Sequence, residues 1–148
     1  MNSRAIDELA ALLQGSDTGA AIAAATELGQ LGTDEAAAVL EAVLLGQARS
    51  AVRVACADAL GSIPSLDAAT GLVRALNETD PLIWHAAAEA LAGLDEEAMP
   101  AVIALLQSRE ADFRRAALRG LLWLTVEHHE AEVSVSDFDF LNGWGWWN

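Results

Sequence analysis

His85 and Glu89 are the two residues whose types and spacing come closest to a metal-binding pair. Side chains four residues apart lie on the same face of an α-helix, where an imidazole nitrogen and a carboxylate oxygen could serve as two ligands. A metal site needs further ligands from other elements. Whether this pair does chemistry therefore depends on the fold around it.

A second histidine segment, residues 128–130, has the sequence His-His-Glu. Adjacent residues of a helix point about 100° apart, so His128 and His129 are poorly placed to bind a single ion. Neither a cysteine nor a third histidine lies close to them in the sequence. We interpret the segment as a cluster at a helix end, which the negative end of the helix dipole favours.

The motifs that would make a nucleophile or a phosphate site are absent from the sequence. Cys56 is the single cysteine and lies among small residues, so it is predicted to pack in the core rather than to react. No glycine-rich phosphate loop, nucleophile elbow or paired-carboxylate motif occurs. The sequence therefore predicts no catalytic residue, no cofactor and no enzymatic activity.

The charge of the chain excludes several classes of partner. Eight arginines and no lysine stand against 22 acidic residues, which gives a net charge of −14 over 148 residues. This balance repels nucleic-acid phosphates and anionic membranes, which leaves basic proteins or neutral surfaces as partners, and we predict another protein, which could be basic. Because the sequence shows neither a signal-peptide core nor an apolar run of membrane-spanning length, we expect a cytoplasmic protein.

A repeat of 30 to 32 residues organises most of the chain. One pattern of large apolar, small and terminal leucine or isoleucine positions occurs in residues 20–31, 52–63, 83–94 and 113–124. The stretches between these segments show helical spacing of apolar residues, with equivalent leucines at Leu13, Leu45, Leu76 and Leu106. Each repeat is therefore predicted to be two helices joined by a short turn.

Capping residues support these helix boundaries. Residues that favour helix starts precede several predicted helices: Asp34, Ser65, Asp95 and the pair Asp80-Pro81. Glycines fall near the ends of three second helices: Gly29, Gly61 and Gly93. We expect these glycines to adopt the left-handed conformation that ends many helices.

The predicted fold is all-α, an α-solenoid wound as a right-handed superhelix of four helix pairs. Its repeats span about residues 3–31, 34–63, 65–94 and 95–126, within a domain of residues 1–126. Residues 127–148 break the pattern and form an irregular aromatic tail with Trp144, Trp146 and Trp147. Two uses of this tail stay open, a cap over repeat four and a docking motif. The cap is favoured because exposed tryptophans invite aggregation.

The fourth repeat is unusually rich in arginine. Its four arginines are Arg109, Arg114, Arg115 and Arg119. A basic patch at one end of the solenoid is one interpretation. The favoured one is an ion pair with the neighbouring repeat, because Arg119 and Glu89 occupy equivalent positions on adjacent second helices.

The repeats resemble HEAT repeats, and in particular the short HEAT-like class typified by phycobilisome lyases. Residues 80–91, DPLIWHAAAEAL, match the second-helix pattern DPxVRxAAAxAL of that class, except that Trp84 stands at the usual arginine. Residues 95–106, DEEAMPAVIALL, match its first-helix pattern DxxAVPALIxAL, including the proline. In the other repeats the arginine position is occupied by Ala21, Arg53 and Arg114. The resemblance covers about residues 3–126 and specifies the fold far more than the function.

The resemblance implies that the second helices line a concave face that binds partners. The polar and aromatic residues that this places on the face are Thr26, Gln30, Asp58, Ser62, His85, Glu89, Arg115, Arg119 and Trp123. A HEAT-type deoxyhypusine hydroxylase holds iron with His-Glu dipeptides, whereas here an alanine follows His85. The equivalent pairs, Val54-Ala55 and Arg115-Ala116, also lack the motif, so the resemblance implies no metal site.

These features together predict a non-catalytic protein-interaction module or scaffold. Two sharper alternatives stay open. A compact, acidic, lysine-free binder could be a bacterial immunity protein that neutralises a basic toxin, because complementary charge speeds encounter. The resemblance alone implies the other alternative, a bilin-lyase-like or chaperone subunit. The oligomeric state stays open as well.

Overall fold

The computed structural model describes residues 3–127, which form eight α-helices and no strand. In chain order the helices are α1 (Ser3–Leu13), α2 (Thr18–Leu31), α3 (Asp34–Leu44), α4 (Ser50–Leu60), α5 (Leu66–Ala75), α6 (Pro81–Ala92), α7 (Asp95–Leu106) and α8 (Ala111–Glu127). They confirm the predicted all-α solenoid of four helix pairs. His128, His129 and the tryptophan-rich tail lie outside the described residues. None of the eight helices is long and apolar enough to cross a membrane.

The helices form two layers around one continuous core. The first helices α1, α3, α5 and α7 pack one on the next, and so do the second helices α2, α4 and α6. The core between the layers is built mainly of fully buried leucines: Leu13, Leu28, Leu40, Leu44, Leu60, Leu72, Leu76 and Leu91. Alanines fill the remaining contacts and allow the second helices to lie close together.

The helix starts follow the sequence closely, with two shifts of one residue. Ser65 caps α5 by accepting a hydrogen bond from the Ala68 amide at 3.0 Å. Asp80 caps α6 in front of Pro81, as predicted. The cap of α3 is Thr33 rather than Asp34, which lies within the first turn. The threonine hydroxyl can accept a hydrogen bond from a backbone amide of the first turn. The Asp34 carboxylate then lies near the positive end of the helix dipole. The predicted cap Asp95 is likewise the first residue of its helix, because α7 follows Leu94, which provides no side-chain cap.

The glycines near the second-helix ends do not adopt the left-handed conformation that we predicted. Gly29 lies inside α2, and Gly61 and Gly93 have φ values of −62° and −72°. The left-handed residue is Gly32, with a φ of 65°. Gly29 and Gly61 are required instead by close approach between second helices. A Cβ at Gly29 would lie 3.1 Å from the Ala59 Cβ, and one at Gly61 would lie 2.8 Å from the Ala90 Cβ.

The leucine register of the second repeat also differs from the prediction by one residue. Leu44 is fully buried at the end of α3, whereas Leu45, the residue that follows this helix, is half-buried. Leu44 therefore occupies the position that Leu13 and Leu76 hold in the neighbouring repeats. The turn between α3 and α4 is long enough to accommodate a shift of one residue. Apolar spacing alone therefore could not decide which of the two leucines is buried.

Arginines link neighbouring repeats at the turns. Arg49 donates to the carbonyls of Gly15 and Ser16 at 3.0 Å each, which ties the second repeat to the first. Arg53 donates to the carbonyl of Leu44 at 2.8 Å and lies 2.6 Å from the Glu78 carboxylate of the third repeat. The resemblance had placed Arg53 at the family's arginine position. Its role here is to satisfy a carbonyl at the end of the preceding helix.

A second set of polar contacts joins the second repeat to the third. Arg74 of α5 lies 2.7 Å from the Glu41 carboxylate of α3. The Ser50 hydroxyl donates to Asp80 at 2.7 Å. This bond, followed by the bond from the Leu82 amide, holds the pKa of Asp80 below its ordinary value. The N-cap of α6 is thus shared by two repeats.

The last helix, α8, leaves the regular stack. It packs on α7 and on α5, and it contacts α6 less than the earlier second helices contact each other. Arg119 is only 8% exposed and donates to the carbonyl of Leu76 at the end of α5. A Cβ at Gly120 would lie 3.0 Å from Val102 and 3.2 Å from Leu76. The side of α8 that was predicted to continue the second-helix row therefore turns partly inward.

Candidate functional site

The exposed side chains of α2, α4 and α6 form one polar surface, which we call the second-helix face. Thr26 and Gln30 lie on α2, Asp58 lies on α4 and Ser62 lies in the turn just after α4, all four exposed. Residues four apart share a helix face, so these side chains form aligned rows across the stacked helices. The Thr26 and Ser62 hydroxyls donate to the carbonyls of Ile22 and Ala59, at 3.2 and 2.7 Å. Each hydroxyl oxygen still has lone pairs that can accept a bond from a partner.

On α6 the face carries the pair that the sequence singled out. The His85 Nε2 lies 3.1 Å from a Glu89 carboxylate oxygen, and the two side chains are 41% and 64% exposed. The imidazole is also held edge-on between two indoles, Trp84 at 6.1 Å and Trp123 at 5.9 Å between ring centroids. His85 is thus fixed in position by its neighbours. No group of three metal-ligating side chains occurs among residues 3–127.

Asp58 and Glu89 place two negative charges on adjacent helices. The pKa of Asp58 is raised above its ordinary value, first by partial burial and then by the charge of Glu89. Like charges on neighbouring rows repel each other when both are ionised. The centre of the second-helix face is therefore acidic. A positively charged group of a partner would reduce the repulsion between the two carboxylates there.

The α8 residues predicted for this face are placed differently from one another. Arg115 is half-buried, with its guanidinium 3.7 Å from the Asp112 carboxylate. Arg119 turns inward to the Leu76 carbonyl, while Glu89 contacts His85 instead of the expected Arg119. Trp123 reaches the face through its ring contact with His85. In a regular repeat Trp123 would lie beside Gly93, about two helical turns away, so this contact follows from the displacement of α8.

A cleft that was not predicted lies at the turns between helices. A cleft of about 620 Å³ opens between the α1–α2 and α3–α4 turns, with Gly15, Ser16, Gln47 and Arg49 among its lining residues. The guanidinium of Arg49 bridges the cleft through its two carbonyl bonds. One feature of the sequence could have indicated this cleft. Arg49 stands where the other repeats have the helix-capping acids Asp17 and Asp80, so the charge is reversed there.

Cys56 lies away from both surfaces. Its side chain is fully buried within α4, and burial raises the pKa of the thiol to about 12. A thiol that stays protonated at physiological pH is a poor nucleophile. This environment fits the packing role inferred from the sequence.

Replacing Asp58 by asparagine is expected to raise the melting temperature at pH 7. The pKa of Asp58 is raised in the folded chain, so the folded state binds this proton more tightly than the unfolded chain. Stability gained from that proton is present below the ordinary pKa and is lost as pH rises through the raised value. Thermal unfolding at pH 7 and pH 3 measures the effect, and the advantage of the variant should shrink at pH 3.

The control for this prediction is Asp67→Asn, which makes the same change of charge in the first turn of α5. The Asp67 carboxylate interacts favourably with the helix dipole there, so its replacement should not raise the melting temperature. An equal rise in both variants would mean that net charge, rather than the Asp58 environment, is responsible.

The fold defines an α-solenoid repeat protein whose second-helix face is acidic at its centre. The description "HEAT repeats" matches residues 42–123, more than half of the chain. The chain belongs to the HEAT repeat family. No curated protein matches the sequence.

Two solved structures are similar to this chain. One is the complex of CpcE and CpcF of phycocyanin lyase from Nostoc sp. PCC7120, with a TM-score of 0.53, 25% identity, and coverage of 84% of this chain and 80% of the matched chain. The other is the crystal structure of an engineered protein, with a TM-score of 0.44, 23% identity, and coverage of 84% of this chain and 63% of that one. The first similarity agrees with the predicted resemblance to lyase-type HEAT repeats.

Proposed function

We propose that this protein is a non-catalytic interaction module that binds a basic partner protein through the second-helix face. The observation that carries the proposal is the exposed acidic pair Asp58 and Glu89 at the centre of that face. The pKa of Asp58 is raised first by partial burial and then by the charge of Glu89 on the neighbouring helix. An arginine or lysine of a partner placed between them would relieve this repulsion.

The surroundings of the pair favour a protein partner. Thr26, Gln30 and Ser62 offer hydrogen-bonding groups in neighbouring rows, and the ring of His85 offers an aromatic surface. Interfaces of this kind gain affinity from a few well-placed contacts rather than from area alone. Because α2, α4 and α6 are rigidly packed, the face needs little ordering when a partner binds.

Nucleic acids and membranes fit this surface poorly. Several of the eight arginines already bond to carbonyls or carboxylates of neighbouring repeats, including Arg49, Arg53, Arg74 and Arg119. In addition to this engagement of the arginines, the net charge of −14 repels phosphate-rich surfaces. A cytoplasmic, protein-binding role accords with these charges.

A second candidate is a lyase-like or chaperone subunit. It is favoured by the similarity to the complex of CpcE and CpcF of phycocyanin lyase, which extends over 84% of this chain. The acidic, lysine-free surface favours the alternative of an immunity protein directed against a basic bacterial toxin. Neighbouring genes would separate these two roles, since a toxin gene supports immunity and phycobiliprotein genes support a lyase subunit.

The proposed face can be tested with two double variants that change the net charge equally. Asp58→Asn with Glu89→Gln removes the acidic pair of the second-helix face. Asp67→Asn with Glu35→Gln removes two exposed acids from the first turns of first helices. The probe is a fluorescent arginine-rich peptide, titrated by anisotropy near physiological ionic strength because salt screens charge–charge attraction.

We expect the face variant to weaken peptide binding by roughly tenfold, equivalent to about 1.4 kcal/mol. The control variant should change the Kd much less. Equal losses in the two variants would show that only net charge attracts the peptide, which contradicts the assigned face. Failure of the unaltered protein to bind would contradict the basic partner itself.

A further inference from the structure

The first helices show which side of each repeat faces the next one. Glu41 of α3 binds Arg74 of α5, and a Cβ at Gly71 of α5 would lie 3.0 Å from the Glu41 side chain. The residue equivalent to Glu41 in the third repeat is Val73, which is fully buried, with α7 packed on α5. The equivalent residue of α7 is Ile103, which is 50% exposed.

The same comparison holds at two further positions. Met99 of α7 is 38% exposed, while the equivalent residues of the earlier first helices are buried: Ile6, Ala37 and Ala69. Leu118 of α8 is 39% exposed, while the equivalent residues of the earlier second helices are buried: Ala25, Ala57 and Ala88. Met99, Ile103 and Leu118 thus form an apolar end face at positions that the following repeat covers elsewhere in the solenoid.

Residues 128–148 follow α8 directly and carry side chains suited to this end face. They include Phe138, Phe140, Leu141 and three tryptophans. A chain of this length spans up to ~70 Å when extended, whereas α7 is only ~18 Å long, so the segment can reach every part of the end face. Solenoids need a terminal element that covers the open side of the last repeat.

The charges at this end of the molecule are complementary. Arg109 is exposed in the α7–α8 turn, and Arg114 is held beside it by bonds to the carbonyls of Ser108 and Arg109 at 3.0 and 2.9 Å. The segment that follows α8 has no lysine or arginine. Its acidic residues are Glu130, Glu132, Asp137 and Asp139. Attraction to this turn would bring the aromatic residues toward Met99 and Ile103.

We propose that residues 137–148 bind the end face of their own chain, with the indoles of Trp144, Trp146 and Trp147 covering Met99, Ile103 and Leu118. Burial of one indole removes roughly 150–250 Å² of apolar surface from water. The segment then acts as an intramolecular cap rather than as a docking motif. This proposal is independent of the second-helix face, which lies on other helices.

The test uses the full chain and a bimane label, a dye that tryptophan quenches on contact. Cys56 is replaced by alanine, the residue found at equivalent positions in the other repeats, and the label is attached through Ile103→Cys. The matched control is Leu66→Cys. Leu66 is 49% exposed, nearly as much as Ile103, but it lies at the start of α5. Each labelled chain is compared with a version carrying Trp144→Phe, Trp146→Phe and Trp147→Phe, which keeps the tail apolar.

We expect the three replacements to raise the fluorescence several-fold at position 103 and to leave it unchanged at position 66. The rise should not depend on protein concentration. No rise at either position 103 or position 118, or an equal rise at positions 103 and 66, would overturn the proposal. Quenching that disappears on dilution would also overturn it, because the tail would then be binding a second copy. A label introduced by Leu118→Cys repeats the measurement in case a label at position 103 displaces the tail.

Discussion

Replacing Leu91 by alanine is expected to lower the free energy of unfolding by about 2–5 kcal/mol. Leu91 is fully buried in α6, in the position that Leu60 holds in the preceding repeat. It also contacts the last helix, since a Cβ at Gly120 would lie 3.8 Å from its Cδ2. The cavity left by the substitution would be lined by α6 and by α8, and neither helix can close it alone.

Urea denaturation followed by far-ultraviolet circular dichroism measures this loss as a lower midpoint. The control is Leu82→Ala on the same helix, where the side chain is 66% exposed and the change should stay within about 0.5 kcal/mol. Equal midpoints for Leu91→Ala and the unaltered protein would contradict the repeat register and the core described above.

Replacing Gly61 by alanine is expected to destabilise the protein by about 1–3 kcal/mol, although alanine usually favours helices. The new Cβ would lie 2.8 Å from the Cβ and 3.1 Å from the Cα of Ala90. Neither atom belongs to a flexible side chain. The α4 and α6 helices would have to separate, and the buried alanines between them would lose contacts.

Gly93 provides a matched control, because it is the C-cap residue of α6 as Gly61 is of α4. A Cβ at Gly93 would meet only the Ala90 carbonyl of its own chain segment, at 3.3 Å. Gly93→Ala should therefore cost much less than Gly61→Ala when thermal unfolding of the two variants is compared. A larger loss in Gly93→Ala would mean that backbone conformation, rather than helix spacing, makes glycine necessary at these positions.

The candidate site was only partly predictable, and α8 shows why. Asp58 and Glu89 follow from the repeat register, because two regular second helices place equivalent residues side by side. Arg119 occupies the equivalent position on α8 and Trp123 lies four residues further along, yet one turns to the Leu76 carbonyl and the other contacts His85. Their environment depends on how α8 crosses α5 and α6, which local spacing does not encode.

The sequence by itself determined the four helix pairs, their approximate boundaries and the buried leucines. These features depend on local physics: apolar residues recur at the helical period, and Ser65 and Asp80 can satisfy the amides of the helices that follow them. Only the tertiary structure decided that Gly61 serves helix approach, that Leu44 replaces Leu45 in the core, and that Arg119 is buried. Each of these depends on distances between helices far apart in the chain. Such distances are set when the whole core packs at once, so no single segment can specify them.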